Sequence, residues 1–363
     1  MADFKYIESI IPSKRILNQI KSNITSFTEY PFDTASGETP IKNNWVVQSE
    51  VTDVSGNTKE LVLKGVATIG KANPLSRTIY VRLRHAGLNT NPPGITYNQH
   101  STIIAQIVDD YSASTSTFAT EGHPVLIQFA DEKATPTDRN LEKPVYIYMN
   151  MMNNRLAMVL VGDPSVNFTD YRKTFMYFGC IEPFKYNEDD VTGNVLLTGG
   201  AVIDEPSLTS IASGSYNFGV YTSPGNNTFQ MYATKSGIKF QKFYPSFITQ
   251  APPVGKAYID SKLGDTGLAL EAQGFQASKW TNKYHLTPIY VVHGYEGYRG
   301  KLQNVIALTR HNILHLDELI IDVEGKTWKQ EVYKYFDINT ECNFMKMSAN
   351  QQMSVAILKE VRY

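Results

Sequence analysis

The sequence predicts a mainly β fold, made of an N-terminal helical arm, a central β domain and a C-terminal small β barrel or sandwich. Three observations lead there. The 22 Tyr and 17 Phe residues stand among many Asn and Thr, a composition that favours pleated strands and polar loops. Apolar residues recur at every second position over short runs, as they do in half-buried strands. Gly, Pro, Asn and Asp then punctuate those runs where the chain must turn. A length of 363 residues accommodates two or three domains, each with its own core. The punctuation divides the chain into a helical arm and linker at 1–40, a central β domain at 41–186, a loop-rich segment at 187–250 and a C-terminal β module at 251–363.

From Phe4 to Phe27 the apolar positions Phe4, Ile7, Ile11, Ile16, Leu17, Ile20 and Ile24 recur at three to four residues, the helical period. Pro12 interrupts them, so the segment reads as a short helix followed by one over Pro12 to Asn23, or as a kinked pair. TEYPFDTASGETPIKNN has no period and reads as a linker. Trp45 to Asp53 and Glu60 to Ile69 are strands joined by the turn residues VSGN. In Thr78 to His85, Ile79, Val81 and Leu83 face one side while Tyr80, Arg82 and Arg84 face the other. Further strands fall at Thr102 to Val108, Val125 to Phe129 and Val145 to Met149. Asn153-Asn154 marks a tight hairpin, because paired asparagines tolerate positive φ. In TFMYFGCIEPF both alternating faces are apolar, which predicts a strand buried on both sides. Residues 187–237 are rich in Gly, Ser, Asn and Thr, a composition of binding or interface loops. The C-terminal module then supplies strands at Pro288 to His293, Lys301 to Leu308, Glu318 to Val323, Thr327 to Phe336 and Met353 to Val361, with a turn at Glu324-Gly325.

Charge and cysteine usage narrow the functional classes. Lys+Arg total 34 against 35 for Asp+Glu, so no global field draws the chain to nucleic acid or an anionic membrane. No stretch has the apolar length of a membrane span or the form of a secretion signal. The two cysteines, Cys180 and Cys342, make neither a zinc set nor a disulfide framework.

Several motifs tempt and fail on their surroundings. Gly65 to Lys71 has the spacing of a phosphate loop, yet Ala72 follows and Asn73-Pro74 blocks the helix that would face the phosphates; the run reads as a strand. Asp265-Thr266-Gly267 is a single copy of a motif whose protease chemistry needs two carboxylates. His311 and His315 have zinc-peptidase spacing, but Asn312 stands where the catalytic Glu belongs. Glu188-Asp189-Asp190 lacks EF-hand spacing. Neither cysteine nor any serine sits in a nucleophile motif. The chain is therefore expected to be non-enzymatic, with no catalytic residue, metal or cofactor. Tyr295, Tyr298 and Arg299, together with Tyr80 and Arg82, are the candidate interface, since Tyr and Arg combine large contact area with polar handles. The alternative for the first three is that they fill the module's own core.

Two regions carry a resemblance. Asn154 to Phe184, NRLAMVLVGDPSVNFTDYRKTFMYFGCIEPF, and the C-terminal GYEGYRGKLQNVIAL, DELIIDVEGKTWKQEVYKYF and MSVAILKEVRY resemble structural proteins of tailed bacteriophages, particularly tail, baseplate or neck components of phages with Gram-positive hosts. The resemblance implies a structural virion subunit, assembled in the host bacterial cytoplasm into the tail region. Its partners would be copies of itself and other virion proteins, with neither nucleic acid nor membrane among them. A glycan-binding receptor module is the alternative, from Trp280, Tyr284 and Tyr298, and a cell-wall hydrolase is third.

Overall fold

In the computed structural model the chain is described over residues 4–26, 28–29, 41–42, 45–69, 75–88, 102–112, 114–115, 117–121, 125–129, 141–163, 173–184, 195–199, 201–202, 231–235, 239–245, 287–293, 297–309, 316–323, 325, 328–336, 346–348 and 351–363. These residues form a mainly β molecule of antiparallel sheets with one short N-terminal helix.

The first helix expected from Phe4 to Ile11 is instead a strand, Lys5–Pro12, paired along its whole length with Pro144–Met152. Its inward residues Ile7 and Ile11 are four apart, a spacing that a period of 3.6 and a period of 2 both satisfy. Local pattern cannot separate the two, and the ladder with Pro144–Met152 decides for the strand. Helix begins only beyond Pro12. Over Ile16–Thr25 the residues Ile16, Leu17, Ile20 and Ile24 form one stripe buried to 1% exposure or less.

The helix lies on a seven-stranded sheet ordered Ala201–Val202, Val125–Gln128, Thr102–Ser112, Leu75–His85, Thr58–Ile69, Val46–Thr52, with Thr117–Glu121 added on Thr102–Ser112. As the alternation predicts, Ile79, Val81 and Leu83 are buried while Tyr80, Arg82 and Arg84 are half-buried on the opposite face. The larger, 14-stranded sheet starts at Lys5–Pro12 and passes through Pro144–Met152, Arg155–Val161 and Lys173–Cys180. It continues through Val195–Gly199, Met231–Lys235 and Lys239–Pro245, strands contributed by the loop-rich segment, to Thr287–His293 and Gly297–Thr309. Gln351–Arg362, Gln330–Phe336 and Glu318–Asp322 end this path, and Glu182–Pro183 and Lys346–Ser348 add to it on Gly297–Thr309 and Gln351–Arg362.

Arg155–Val161 and Lys173–Cys180 are buried at every residue, because each face meets a different core. Leu156, Met158, Met176 and Phe178 face the helix and the seven-stranded sheet. Ala157, Val159, Phe175 and Tyr177 face Ile289, Leu302, Phe336 and Ile357 of the C-terminal strands. Residues of odd and even number thus belong to separate hydrophobic clusters, which is how a strand without a polar face is satisfied.

The hairpin at Asn153-Asn154 forms as expected, with Met152 opposite Arg155, but neither asparagine takes a positive φ. That conformation falls on Gly179, at φ 117, one strand away. A Cβ there would lie 2.1 Å from Asn154 O, so the missing side chain lets Cys180 N donate to that carbonyl at 2.9 Å. Beneath this turn Arg155 is fully buried; its Nη2 donates to Asn150 Oδ1 at 2.6 Å, and Asn150 Nδ2 donates to Leu358 O at 2.6 Å. The network ties the last strand of the chain to the central hairpin.

Candidate functional site

Exposed apolar side chains stand at the sheet ends: Ile10 alone on Lys5–Pro12, and more extended groups at two others. The first is Val46–Thr52, last in the seven-stranded sheet and paired on one side only among the described residues. Its register with Thr58–Ile69 places Val46 opposite Lys64 and Val51 opposite Glu60; Lys64 and Glu60 in turn face Tyr80 and Arg84. Val46 and Val51 therefore share the outward face with Tyr80 and Arg82, at 55% and 47% exposure, and Val54 in the following turn is fully exposed. Val47 and Glu50 point the other way, Val47 into the core and Glu50 opposite the buried Leu61.

This edge is braced from within. Trp45 packs its ring 5.5 Å from that of Phe178, donates from Nε1 to Met152 O at 3.0 Å and occupies the space over Gly65, where a Cβ would come within 2.9 Å of it. Glu50 accepts both 2.7 and 2.9 Å hydrogen bonds from Lys21 on the helix and one of 2.6 Å from Thr58 Oγ1. Burial pulls the Glu50 carboxyl upward, yet the Lys21 and Thr58 hydrogen bonds outweigh it and hold it below its ordinary range. In the turn, Asp53 Oδ1 accepts from Ser55 N and Asn57 N at 2.8 Å, and helix residue Asn18 donates to Gly56 O at 3.1 Å. The turn and the edge are held to the helix.

The second end is Glu318–Asp322, last in the larger sheet, within the stretch the sequence marks as the C-terminal β module. Leu319 and Ile321 turn onto the cluster of Tyr333, Tyr335, Ala356 and Leu358, leaving Glu318, Ile320 and Asp322 outward. Glu318 pairs with Lys359, which holds its carboxyl below the ordinary range, and Asp322 accepts from Gln330 Nε2 at 2.8 Å. Beyond them the rings of Trp328 and Tyr363 stack with centroids 5.7 Å apart and planes at 22°.

Of the residues singled out by sequence, Tyr80 and Arg82 lie side by side on the first of these faces. Arg82 donates to Glu60 at 2.9 Å and sits 5.8 Å from the Phe118 ring centroid. Tyr298 and Arg299 belong to the strand Gly297–Thr309 of the other sheet, but their side chains, and Tyr295 altogether, lie outside the described residues. So do Trp280, Tyr284, His311, His315, Asp265, Glu188 and Cys342. Gly65 lies in strand Thr58–Ile69, not in a phosphate loop. Cys180 is buried, and burial pushes its thiol up to about 12, so it is a packing residue and no nucleophile at neutral pH. Among the described residues no three of His, Cys, Asp and Glu come together as a metal site, and no helix is long and apolar enough to cross a membrane. The exposed valine row and the Trp328–Tyr363 pair went unrecognised in sequence. Nothing local announced either: a bulge at Val47/Ser49 shifts the alternation of the first, and the second is brought together by the distant pairing of Gln330 with Arg362. No protein-family model matches the chain, and no curated protein matches it in sequence.

Proposed function

We propose that the chain is a non-enzymatic structural subunit of a bacteriophage virion, in the tail, baseplate or neck, joining neighbouring subunits during assembly. The observation that carries the contact is the reversed polarity of Val46–Thr52: its carboxylate faces the helix, while Val46 and Val51 face out. Rigidly held apolar side chains on an outward face gain free energy when a partner removes them from water. Register shifts at Val47/Ser49 and Val51/Thr52 interrupt the ladder, so the neighbour is met by side chains more than by strand addition. Tyr80 and Arg82 extend the same face as polar anchors. The C-terminal strands, in this reading, form a small sandwich against the central hairpin. The virion assignment itself is supported by the resemblance of Asn154 to Phe184 and of the C-terminal stretches to tail, baseplate and neck proteins.

The test joins particle composition to one variant. Mass spectrometry of purified particles is expected to find the subunit, and Val51→Lys with Val54→Lys to lower its incorporation about tenfold, the effect of ~1.4 kcal/mol at the contact. Melting of the isolated variant should be unchanged, since both positions are exposed. Absence of the wild-type protein from particles would overturn the proposal.

A further inference from the structure

We propose that the Trp328–Tyr363 corner is a carbohydrate-binding platform that takes a ring of a neutral glycan. The cross-strand pairs Asp322 with Gln330 and Gln330 with Arg362 set three planar polar side chains in one row on the same face of the sheet. Trp328 lies two residues before Gln330 and Tyr363 directly follows Arg362, so the stacked rings border that row. Trp328 is 59% exposed and Tyr363 48% exposed, well above what a packing role requires of such large side chains. Ile320, on the same face as Asp322 and 56% exposed, adds apolar surface beside the row.

A pyranose has an apolar face of C–H groups and a rim of hydroxyls. The exposed aromatic ring suits the first; carboxylate, amide and guanidinium, each planar and each able to bond two neighbouring hydroxyls, suit the second. Charge decides which sugars. Glu360 accepts from Arg362 at 3.1 Å, Glu318 is paired with Lys359, and Asp322 is engaged by the neutral Gln330, so the corner presents no excess of cations. It favours neutral glycans over sialylated or sulfated ones. The inference concerns a different surface from the valine edge and stands or falls independently of the virion assignment.

The experiment is a glycan array probed with the full chain, carrying neutral oligomers of glucose, galactose and N-acetylglucosamine beside sialylated and sulfated glycans. Affinity for any hit is then measured by titration. At least one neutral class is expected to bind, Trp328→Ala to weaken it about tenfold, or ~1.4 kcal/mol, and Trp328→Phe to retain most of it. Gln330→Ala should weaken binding less than Trp328→Ala with unchanged melting. Binding of anionic glycans alone, binding indifferent to Trp328→Ala, or no binding to any neutral probe each overturns the proposal. So does Trp328→Ala lowering particle incorporation while leaving sugar binding intact, which would make the corner a protein contact. Should Trp328→Ala fail to fold, Trp328→Phe and Gln330→Ala carry the same comparison.

Discussion

Val46–Thr52 and Glu318–Asp322 close their sheets with opposite distributions of the same residue types. Each has a carboxylate bound by a lysine, Glu50 by Lys21 and Glu318 by Lys359, and each has exposed aliphatic surface. At Glu318–Asp322 the leucine and one isoleucine turn inward and both acids outward, the usual polarity of a half-solvated edge, and short charged edges discourage pairing with another chain. At Val46–Thr52 the acid turns inward and two valines outward, while bulges spoil the ladder. Both edges therefore carry guards against the addition of a strand, yet only the first keeps more than one aliphatic side chain outward. The difference shows that an inward salt bridge can guard an edge against indiscriminate pairing while aliphatic side chains stay on its outer face.

The strongest way to break the distinction is to damage what both edges share. Gly179→Ala would place a Cβ 2.1 Å from Asn154 O and 2.6 Å from Arg155 Cα, in a strand whose two faces serve both cores. Backbone at φ 117 suits only glycine, so strain and overpacking together should cost about 3 kcal/mol or more. Hydrogen exchange is expected to show lost protection in both Thr58–Ile69 and Gln330–Phe336. Retained protection in either would show that the central hairpin is not the common support.

Gly65→Ala should separate the edges. The added methyl meets the Trp45 ring at 2.9 Å, and Trp45 immediately precedes Val46. Overpacking of this kind costs ~1–3 kcal/mol. Exchange should quicken in Val46–Thr52 while Glu318–Asp322 keeps its wild-type rates. Equal loosening of both would mean that the valine edge has no separate anchorage.

What was legible in sequence follows the range of the interactions involved. The hairpin at Asn153-Asn154, the alternation of Thr78 to His85 and the doubly buried Phe175 to Cys180 depend on neighbours along the strand, and local period reveals them. Lys5–Pro12 was hidden because Ile7 and Ile11 fit either period and only the distant partner Pro144–Met152 distinguishes them. Outward valines at Val46–Thr52 were equally hidden, since the bulge at Val47/Ser49 shifts the alternation and the acid that turns inward answers a lysine on the helix. Trp328 and Tyr363 meet only because Gln330 pairs with Arg362, and Tyr80 and Arg82 were readable as an outward pair without any sign that the valines share their face.

The gentlest probe compares the two lysine-bound carboxylates by pH. Glu50 and Glu318 both have folded values below the ordinary 4.5, so each stabilises the folded chain fully above that value and loses its contribution as pH falls through the lowered one. The contributions differ in size. Lys21 and Glu50 are 31% and 23% exposed and share Thr58, whereas Glu318 is 37% exposed and its pairing with Lys359 is more strongly screened by solvent and salt. At neutral pH Glu50→Gln is expected to cost about 1 kcal/mol, the scale of a lost charge-assisted hydrogen bond offset by partial exposure. Glu318→Gln should lower the melting temperature less, and raised salt should erase its effect first. On acidification below 4.5 the wild-type and Glu50→Gln melting curves should converge, because protonation removes from the wild type what the substitution has already removed. Curves that stay parallel through that range would mean that Lys21 does not hold the valine edge through the charge of Glu50, and its reversed polarity would need another support.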